Sequence, residues 1–268
     1  MKRPIVLIGG GRMGGALLKG WLRNGIGPLV VAEPNPSAEL RRLSRLGKFD
    51  LHRDAREISM RPKACVIALK PQILKIETAL LAPAAQSGAL IISVAAGVSI
   101  STFAHAWGKG ARIIRAMPNM PGAIGRGITA LYASRNTTGA DRRVTEQLLS
   151  ALGSTVWVKR EALIDSVTAV SGSGPAYVFL LTEALAEAAR AEGLPPEQAE
   201  RLARATVSGA GALLEADRRP ASALRQDVTS RGGTTEAALE VLLAQDGLKP
   251  LLARAVRAAH LRAKQLSG

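Results

Sequence analysis

Short apolar, β-branched runs recur through the first half of the chain, at residues 5–8, 29–32, 64–69, 89–94, 112–116 and 128–133, with helical spacing between them. Runs of this kind read as strands buried on both faces, and their alternation with helices predicts βαβ units and a parallel, doubly wound sheet. One further strand at 155–158 is expected to finish the layer after a helix over 141–152. From Glu161 onward strand signals stop. Ala-rich helical stretches follow, broken at Ser171-Gly172-Ser173-Gly174-Pro175, Gly193-Leu194-Pro195-Pro196 and Arg218-Arg219-Pro220. The pattern therefore predicts an α/β domain over 1–160 and an all-helical C-terminal domain over 161–268. Within the latter, Tyr177-Val178-Phe179-Leu180-Leu181 is apolar all round, so on a helix it calls for burial on every side. A subunit interface would bury it more completely than a thin Ala-rich core, and a homodimer is expected.

Composition sharpens this picture. Hydrophobic residues make up 47% of the 268, enough for a substantial core, while aromatics are only 3%. A core of Ala, Leu, Val and Ile suits close helix packing and parallel strands better than a β-sandwich. The formal charge of +15 raises the question of nucleic acid. The arginines, however, fall at helix-surface spacing (Arg41, Arg42 and Arg45; Arg254, Arg257 and Arg262), with no aromatics interleaved as stacking platforms. A solvated basic surface that attracts an anionic cofactor and an acidic substrate is expected, with no nucleic-acid partner. Cys65, the single cysteine, sits in an apolar run and excludes an intrachain disulfide, which fits a reducing compartment. The apolar stretch after Lys2-Arg3 is cut short by Gly9 to Gly11 and Arg12, too soon for a signal peptide, and no run is long enough to span a bilayer. A cytoplasmic protein without membrane contact or a metal site is expected.

Two segments carry candidate chemistry. The first strand runs into Gly9-Gly10-Gly11-Arg12-Met13-Gly14, a G-x-G-x-x-G pattern between a strand and an amphipathic helix carrying Ala16, Leu17 and Trp21. In such a turn Gly9 permits the tight bend, Gly11 lets backbone approach a pyrophosphate, and Gly14 lets the helix pack on the strand, as in Rossmann-like nucleotide-binding domains. Glu33 ends the second strand, where an acidic side chain accepts from an adenosine ribose 2′-OH and repels a 2′-phosphate, so NADH is favoured over NADPH. Arg12, Arg41 or Arg42 folding over a phosphate would favour NADPH instead. Ala68, Lys70 and Pro71 close the third predicted strand at the carboxyl edge, where ligands of open sheets bind. The second segment is Ser230-Arg231-Gly232-Gly233-Thr234-Thr235, a glycine turn opening a helix, whose exposed amides suit a carboxylate. The threonines there also suit helix N-caps.

Taken together, Gly-Gly-Gly-Arg-Met-Gly at 9–14, Lys70-Pro71, Arg115-Ala116-Met117-Pro118-Asn119, Ser171-Gly172-Ser173-Gly174-Pro175-Ala176-Tyr177, and Asp227-Val228-Thr229-Ser230 leading to Gly232-Gly233-Thr234-Thr235 resemble the pyrroline-5-carboxylate reductase family. The motifs match in order and over almost the whole chain. The resemblance implies NAD(P)H-dependent reduction of 1-pyrroline-5-carboxylate to L-proline. It also implies an N-terminal Rossmann domain and a helical C-terminal domain that interlocks two subunits, with rings of dimers in many members. It further implies that Thr235 hydrogen-bonds the ring nitrogen. Ser230 and Gly232 to Thr234 would hold the carboxylate, with Asp227 a weaker candidate near the ring. The chain departs from the family pattern at Arg231, where proline is usual, and at Ala238, Met120 and Arg12. Arg231 frees the turn from proline's fixed φ and adds a cation beside the carboxylate site.

The chemistry needs no strong general acid, because a protonated iminium is already electrophilic; His52, His105 and His260 lie outside the motifs. Ser173, ahead of Gly174-Pro175, is expected to cap the buried helix. Another Rossmann imine reductase or a β-hydroxyacid dehydrogenase is the enzymatic alternative, but the latter's catalytic lysine has no counterpart, since no lysine occurs between Glu161 and Pro220. A nucleotide-binding regulator without catalysis is the alternative from another class.

Overall fold

A computed structural model of the chain describes residues 3–58, 61–70, 72–74 and 78–267. Within them one sheet runs in the order β3-β2-β1-β4-β5-β6-β7-β8. Its strands are β1 Ile5–Ile8, β2 Leu29–Ala32, β3 Asp50–His52, β4 Ala64–Ile67, β5 Leu90–Ser93, β6 Arg112–Met117, β7 Gly127–Ala133 and β8 Gly153–Trp157. Every residue of β1, β2, β4 and β5 is buried, as unbroken apolar runs require when helices cover both faces. Pairing is parallel from β3 to β6, and Ile8 is level with both Ala32 and Ile67. The strand order reverses between β1 and β4, so the crevice beyond their carboxyl ends is the topological switch point.

Two cores lie on the two sides of the sheet. One gathers Leu7, Val31 and Leu131 with Leu17 and Trp21 of helix α1 (Arg12–Arg23); the other gathers Ile67, Ile91 and Ile113 with Phe103 and Trp107. Each buried tryptophan satisfies its N–H on a backbone carbonyl: Trp21 Nε1 donates to Leu148 O at 2.7 Å and Trp107 Nε1 to Thr78 O at 2.6 Å. Further helices of this half among the described residues include α2 Ala38–Arg45, α3 Ala82–Gln86, α4 Ile100–Trp107, α5 Gly139–Leu149 and α6 Leu163–Val167. A capping box between Thr138 and Asp141 starts α5, and a 3-10 turn, Ser150–Leu152, ends the stretch expected to be helical throughout. Arg115, buried in β6, is ion-paired to Glu161 at 2.7 Å, and the same carboxylate oxygen accepts from Ile100 N at the start of α4.

The sheet is mixed rather than wholly parallel. β7 pairs antiparallel to β6, because the link over 118–126 is too short to carry a crossover helix back to the start of the sheet. β3 has no apolar run to betray it: Asp50-Leu51-His52 is a short, partly exposed edge.

The chain divides into two compact units, Met1–Gly172 with His260–Gly268, and Ser173–Ala259. The strand pattern ends near 160, but α6 packs against β7 and continues into a π-helical turn, Thr168–Gly172, so the division of packing falls later than the change of pattern. The second unit holds α7 Gly174–Ala191, α8 Pro196–Ala216, α9 Ala221–Asp227, α10 Thr234–Leu242 and most of α11 Leu248–Ser267. Ser173 does not cap α7 with its side chain. Its backbone is already helical, carried on from the π-turn, so the hydroxyl is not placed to accept from the first amides.

Among the described residues of the second unit only Ala186, Ala199 and Ala203 are buried. Phe179 and Leu180 are 55% and 64% exposed, so the all-apolar segment of α7 is not enclosed within one protomer. Apolar surface on this scale marks an interface. Leu180→Lys is expected to shift the protein from dimer or larger species toward monomer in sedimentation. The loss is roughly 1.5–3 kcal/mol for each leucine left unburied, felt on both protomers of a two-fold interface. An unchanged sedimentation profile would remove α7 from the interface.

Candidate active site

The Gly-rich turn separates packing from binding. Gly9 has φ +97°, and a Cβ there would stand 2.7 Å from Ala68 O. A Cβ on Gly14 would stand 1.9 Å from Gly9 O, so α1 can lie this close to β1 only without a side chain. Gly11 is different. A Cβ there would meet nothing within 4 Å, and no internal contact accounts for the glycine. Gly11 is the N-cap of α1 and offers no side-chain cap, the first turn of the helix holds no acidic residue, and exposed Arg12 begins it. These open amides, the helix dipole and one arginine are the donor set a dinucleotide pyrophosphate needs. Met13 is half-buried against the core and fixes the helix rather than offering a polar contact.

Glu33 is fastened at the rim of this cradle. Its Oε2 accepts from Gly10 N at 2.6 Å and its Oε1 from Asn35 N at 3.0 Å. A carboxylate has lone pairs beyond those two, so the group can still accept from a hydroxyl while its charge stays in place. Ala68 follows β4 directly, with its N–H on Ile8 O at 2.8 Å, and Lys70 is exposed beyond it. Pro71 lies outside the described residues.

In the second unit, Gly233 N donates to Ser230 O at 3.0 Å and closes a β-turn over Ser230-Arg231-Gly232-Gly233. Gly232 has φ +71° and, among the described residues, no non-glycine residue has positive φ, which together identify the type II pattern. Proline is favoured at the second place of such a turn, where this chain has Arg231; the turn closes without it. Gly233 packs closely on the same turn: a Cβ there would lie 3.0 Å from Ser230 O and would push the Ser230 hydroxyl aside.

Helix α10 then starts with Gly233 as its N-cap, so Thr234 and Thr235 are its first two helical residues and neither caps it. Their hydroxyls have no hydrogen-bond partner among the described residues. Glu236 reaches back, its Oε2 accepting from Gly232 N at 2.6 Å. Asp227 is paired with Arg219 at 2.7 Å, and the same guanidinium binds Asp217 at 2.8 Å, holding the Asp217 carboxyl below the usual carboxylate range. The turn and the Gly-rich cradle thus sit in different compact units, each at a helix start.

Other reactive groups are engaged elsewhere. His52 contacts Glu57, His105 the carbonyl of Ser101, and His260 the hydroxyl of Ser166. Burial pushes the Cys65 thiol up to about 12, so it is no nucleophile near neutrality. From the sequence alone, Glu236 and Asn119 have places at a helix start and in a motif but no role of their own. Asn119 Oδ1 accepts from Ile128 N at 3.0 Å and its Nδ2 donates to Ser171 Oγ at 3.2 Å, tying together two of the quoted motifs. The acidic residue three places after the N-cap is the signal for Glu236, whereas no local signal marks a bond made across the fold by Asn119.

Comparison with known proteins gives a consistent result. Residues 161–266 match the family described as pyrroline-5-carboxylate reductase dimerisation, and residues 4–97 match NADP oxidoreductase coenzyme F420-dependent. The chain is 38% identical to the pyrroline-5-carboxylate reductase of Pseudomonas aeruginosa, over 98% of this chain and 96% of that one. A solved structure of the Coxiella burnetii pyrroline-5-carboxylate reductase superposes with a TM-score of 0.92 at 36% identity, covering 100% of both chains. The Plasmodium falciparum pyrroline carboxylate reductase, solved with NADP bound, gives 0.83 at 26% identity, covering 100% of this chain and 99% of that one.

Because a Cβ on Gly11 meets no protein atom, Gly11→Ala is expected to fold with an unchanged melting temperature yet to raise the KM for the reduced dinucleotide by about tenfold or more. Unchanged cofactor affinity would show that the cradle holds no pyrophosphate.

Proposed function

The chain belongs to the pyrroline-5-carboxylate reductase family, and on that premise we propose how its residues reduce 1-pyrroline-5-carboxylate to L-proline with NAD(P)H. The observation that carries the assignment of residues is the glycine turn at Ser230–Arg231–Gly232–Gly233, with two uncommitted threonine hydroxyls directly after it.

The substrate has one carboxylate and one C=N bond. Ser230, Gly232, Gly233 and Thr234 shape the carboxylate's place at a helix start, where open amides, hydroxyls and the helix dipole favour negative charge. Thr235 Oγ1 accepts the N–H of the protonated ring nitrogen and fixes the face of the imine that is presented. Asp227 is a weaker candidate at the ring, and it shares its carboxylate with Arg219. A reduced nicotinamide held beside this turn would supply the hydride that the imine carbon needs. Gly9, Gly11, Arg12, Met13 and Gly14, with Ala68 and Lys70 beyond β4, would form the cofactor's seat, and Glu33 would meet its ribose; Pro71, assigned to the same seat from the sequence, lies outside the described residues. With the substrate's nitrogen already protonated, binding and alignment carry the rate, which suits a site without a histidine or other strong acid.

Glu33, pinned by two amides, keeps a negative charge where a 2′-phosphate would lie, so we place NADH ahead of NADPH for this chain. Its dimerisation domain makes it an oligomer; we propose a homodimer, with rings of dimers as the larger assembly, in the cytoplasm. Among the described residues no helix is long and apolar enough to cross a membrane.

Following the absorbance loss of each reduced cofactor in the presence of pyrroline-5-carboxylate tests the function itself; no loss with either would refute it. In that assay Thr235→Ala is expected to lower kcat by about tenfold to a hundredfold, as for one positioned contact of ~1.5–3 kcal/mol, with Thr235→Ser recovering most of it. Turnover at the wild-type rate in the alanine variant would take Thr235 out of the mechanism. Glu33→Gln is expected to raise the NADPH-to-NADH ratio of kcat/KM by about tenfold; a constant ratio would show that Glu33 does not discriminate.

A further inference from the structure

The two helix starts differ in one respect. The first turn of α1 contains no acidic side chain, whereas α10 has Glu236 at its third position, with Oε2 2.6 Å from Gly232 N. In a full capping box the N-cap side chain would answer this contact by binding the third amide, but the N-cap here is Gly233, which has no side chain to do so. The turn also closes without Glu236, through Gly233 N on Ser230 O at 3.0 Å. The carboxylate is therefore not needed to shape the turn. It holds an amide of the very group of donors assigned above to the substrate's carboxylate, and it brings its own negative charge there.

We propose that Glu236 sets the affinity of the site by competing with the substrate: in the free enzyme its carboxylate stands in for the substrate's on Gly232 N–H, and substrate binding must displace it or bear its repulsion. This rests on the reading of the Ser230 to Thr235 turn as the substrate site. A like charge at an exposed turn sets a modest penalty, one that falls on binding rather than on hydride transfer. Arg231, exposed in the same turn where the family usually has proline, adds a cation that partly offsets it. The chain thus carries a balanced pair of charges around its carboxylate cradle. The part of the Glu236 repulsion that Arg231 does not offset weakens the hold on any small carboxylate, the product L-proline included, and so favours release.

Two variants test this. Glu236→Gln removes the charge but keeps an acceptor for Gly232 N–H; Glu236→Ala removes both. The KM for pyrroline-5-carboxylate is expected to fall by about threefold to tenfold in each, and the inhibition constant of L-proline to fall in parallel, while the KM for the reduced cofactor stays constant. The change should appear in KM rather than kcat. A KM for pyrroline-5-carboxylate that is unchanged or higher in either variant overturns the proposal, because it would make Glu236 a support of the turn and not a competitor. Failure of the wild-type protein to reduce pyrroline-5-carboxylate would instead sink the substrate reading beneath it.

Discussion

A helix begins with amide groups that no carbonyl of its own can reach, and in this protein glycine keeps two such beginnings open to small anions. At α1 the constraint is steric in both directions. Gly9 and Gly14 are glycines because protein atoms stand where their Cβ atoms would be, and Gly11 is a glycine although nothing stands there. That contrast separates the glycines that build the turn from the one that leaves room for a ligand. Around it the parallel strands β1, β2 and β4 end level with one another, so the amides of α1, the pinned carboxylate of Glu33 and the edge of β4 at Ala68 meet at the switch point. At α10 the same physics recurs on a smaller scale, with a type II turn instead of a strand leading into the helix.

The parts of the fold that could be read from sequence are those set by local chemistry. β1 and β2 fall where unbroken β-branched runs placed them, because a strand buried on both faces leaves no polar position to blur its ends. β3 could not be seen, since a polar three-residue edge draws its pairing from β2 and not from its own side chains. The reversal of β7 depends on the length of the link before it, which apolar patterning does not record. The same division applies at the site. The glycine turns and threonines announced themselves, and the position of Arg231 is now accounted for by a turn type that tolerates any residue with negative φ at that place. The engagement of Glu33 by Gly10, of Asp227 by Arg219 and of Asn119 by Ser171 is a matter of side-chain direction and distant contacts, on which spacing is silent.

The second unit shows how function and assembly are joined. Three buried alanines cannot hold a folded helical array of this size, and the apolar residues of α7 remain exposed on the single chain. The array carrying the proposed substrate turn therefore calls for association to stabilise it, as a dimerisation domain would. The low aromatic content fits this arrangement: small side chains let helices approach closely, and the exposed leucines of the second unit leave apolar surface for a partner to cover.

Reduction by this chain depends on where the acid group of the substrate rests. A crystal structure of the protein with L-proline and oxidised cofactor tests this most directly. The predicted result is density for the carboxylate on the amides between Ser230 and Thr235, with the ring nitrogen at Thr235 Oγ1. L-Proline bound elsewhere, with that turn contacting only solvent, would contradict it.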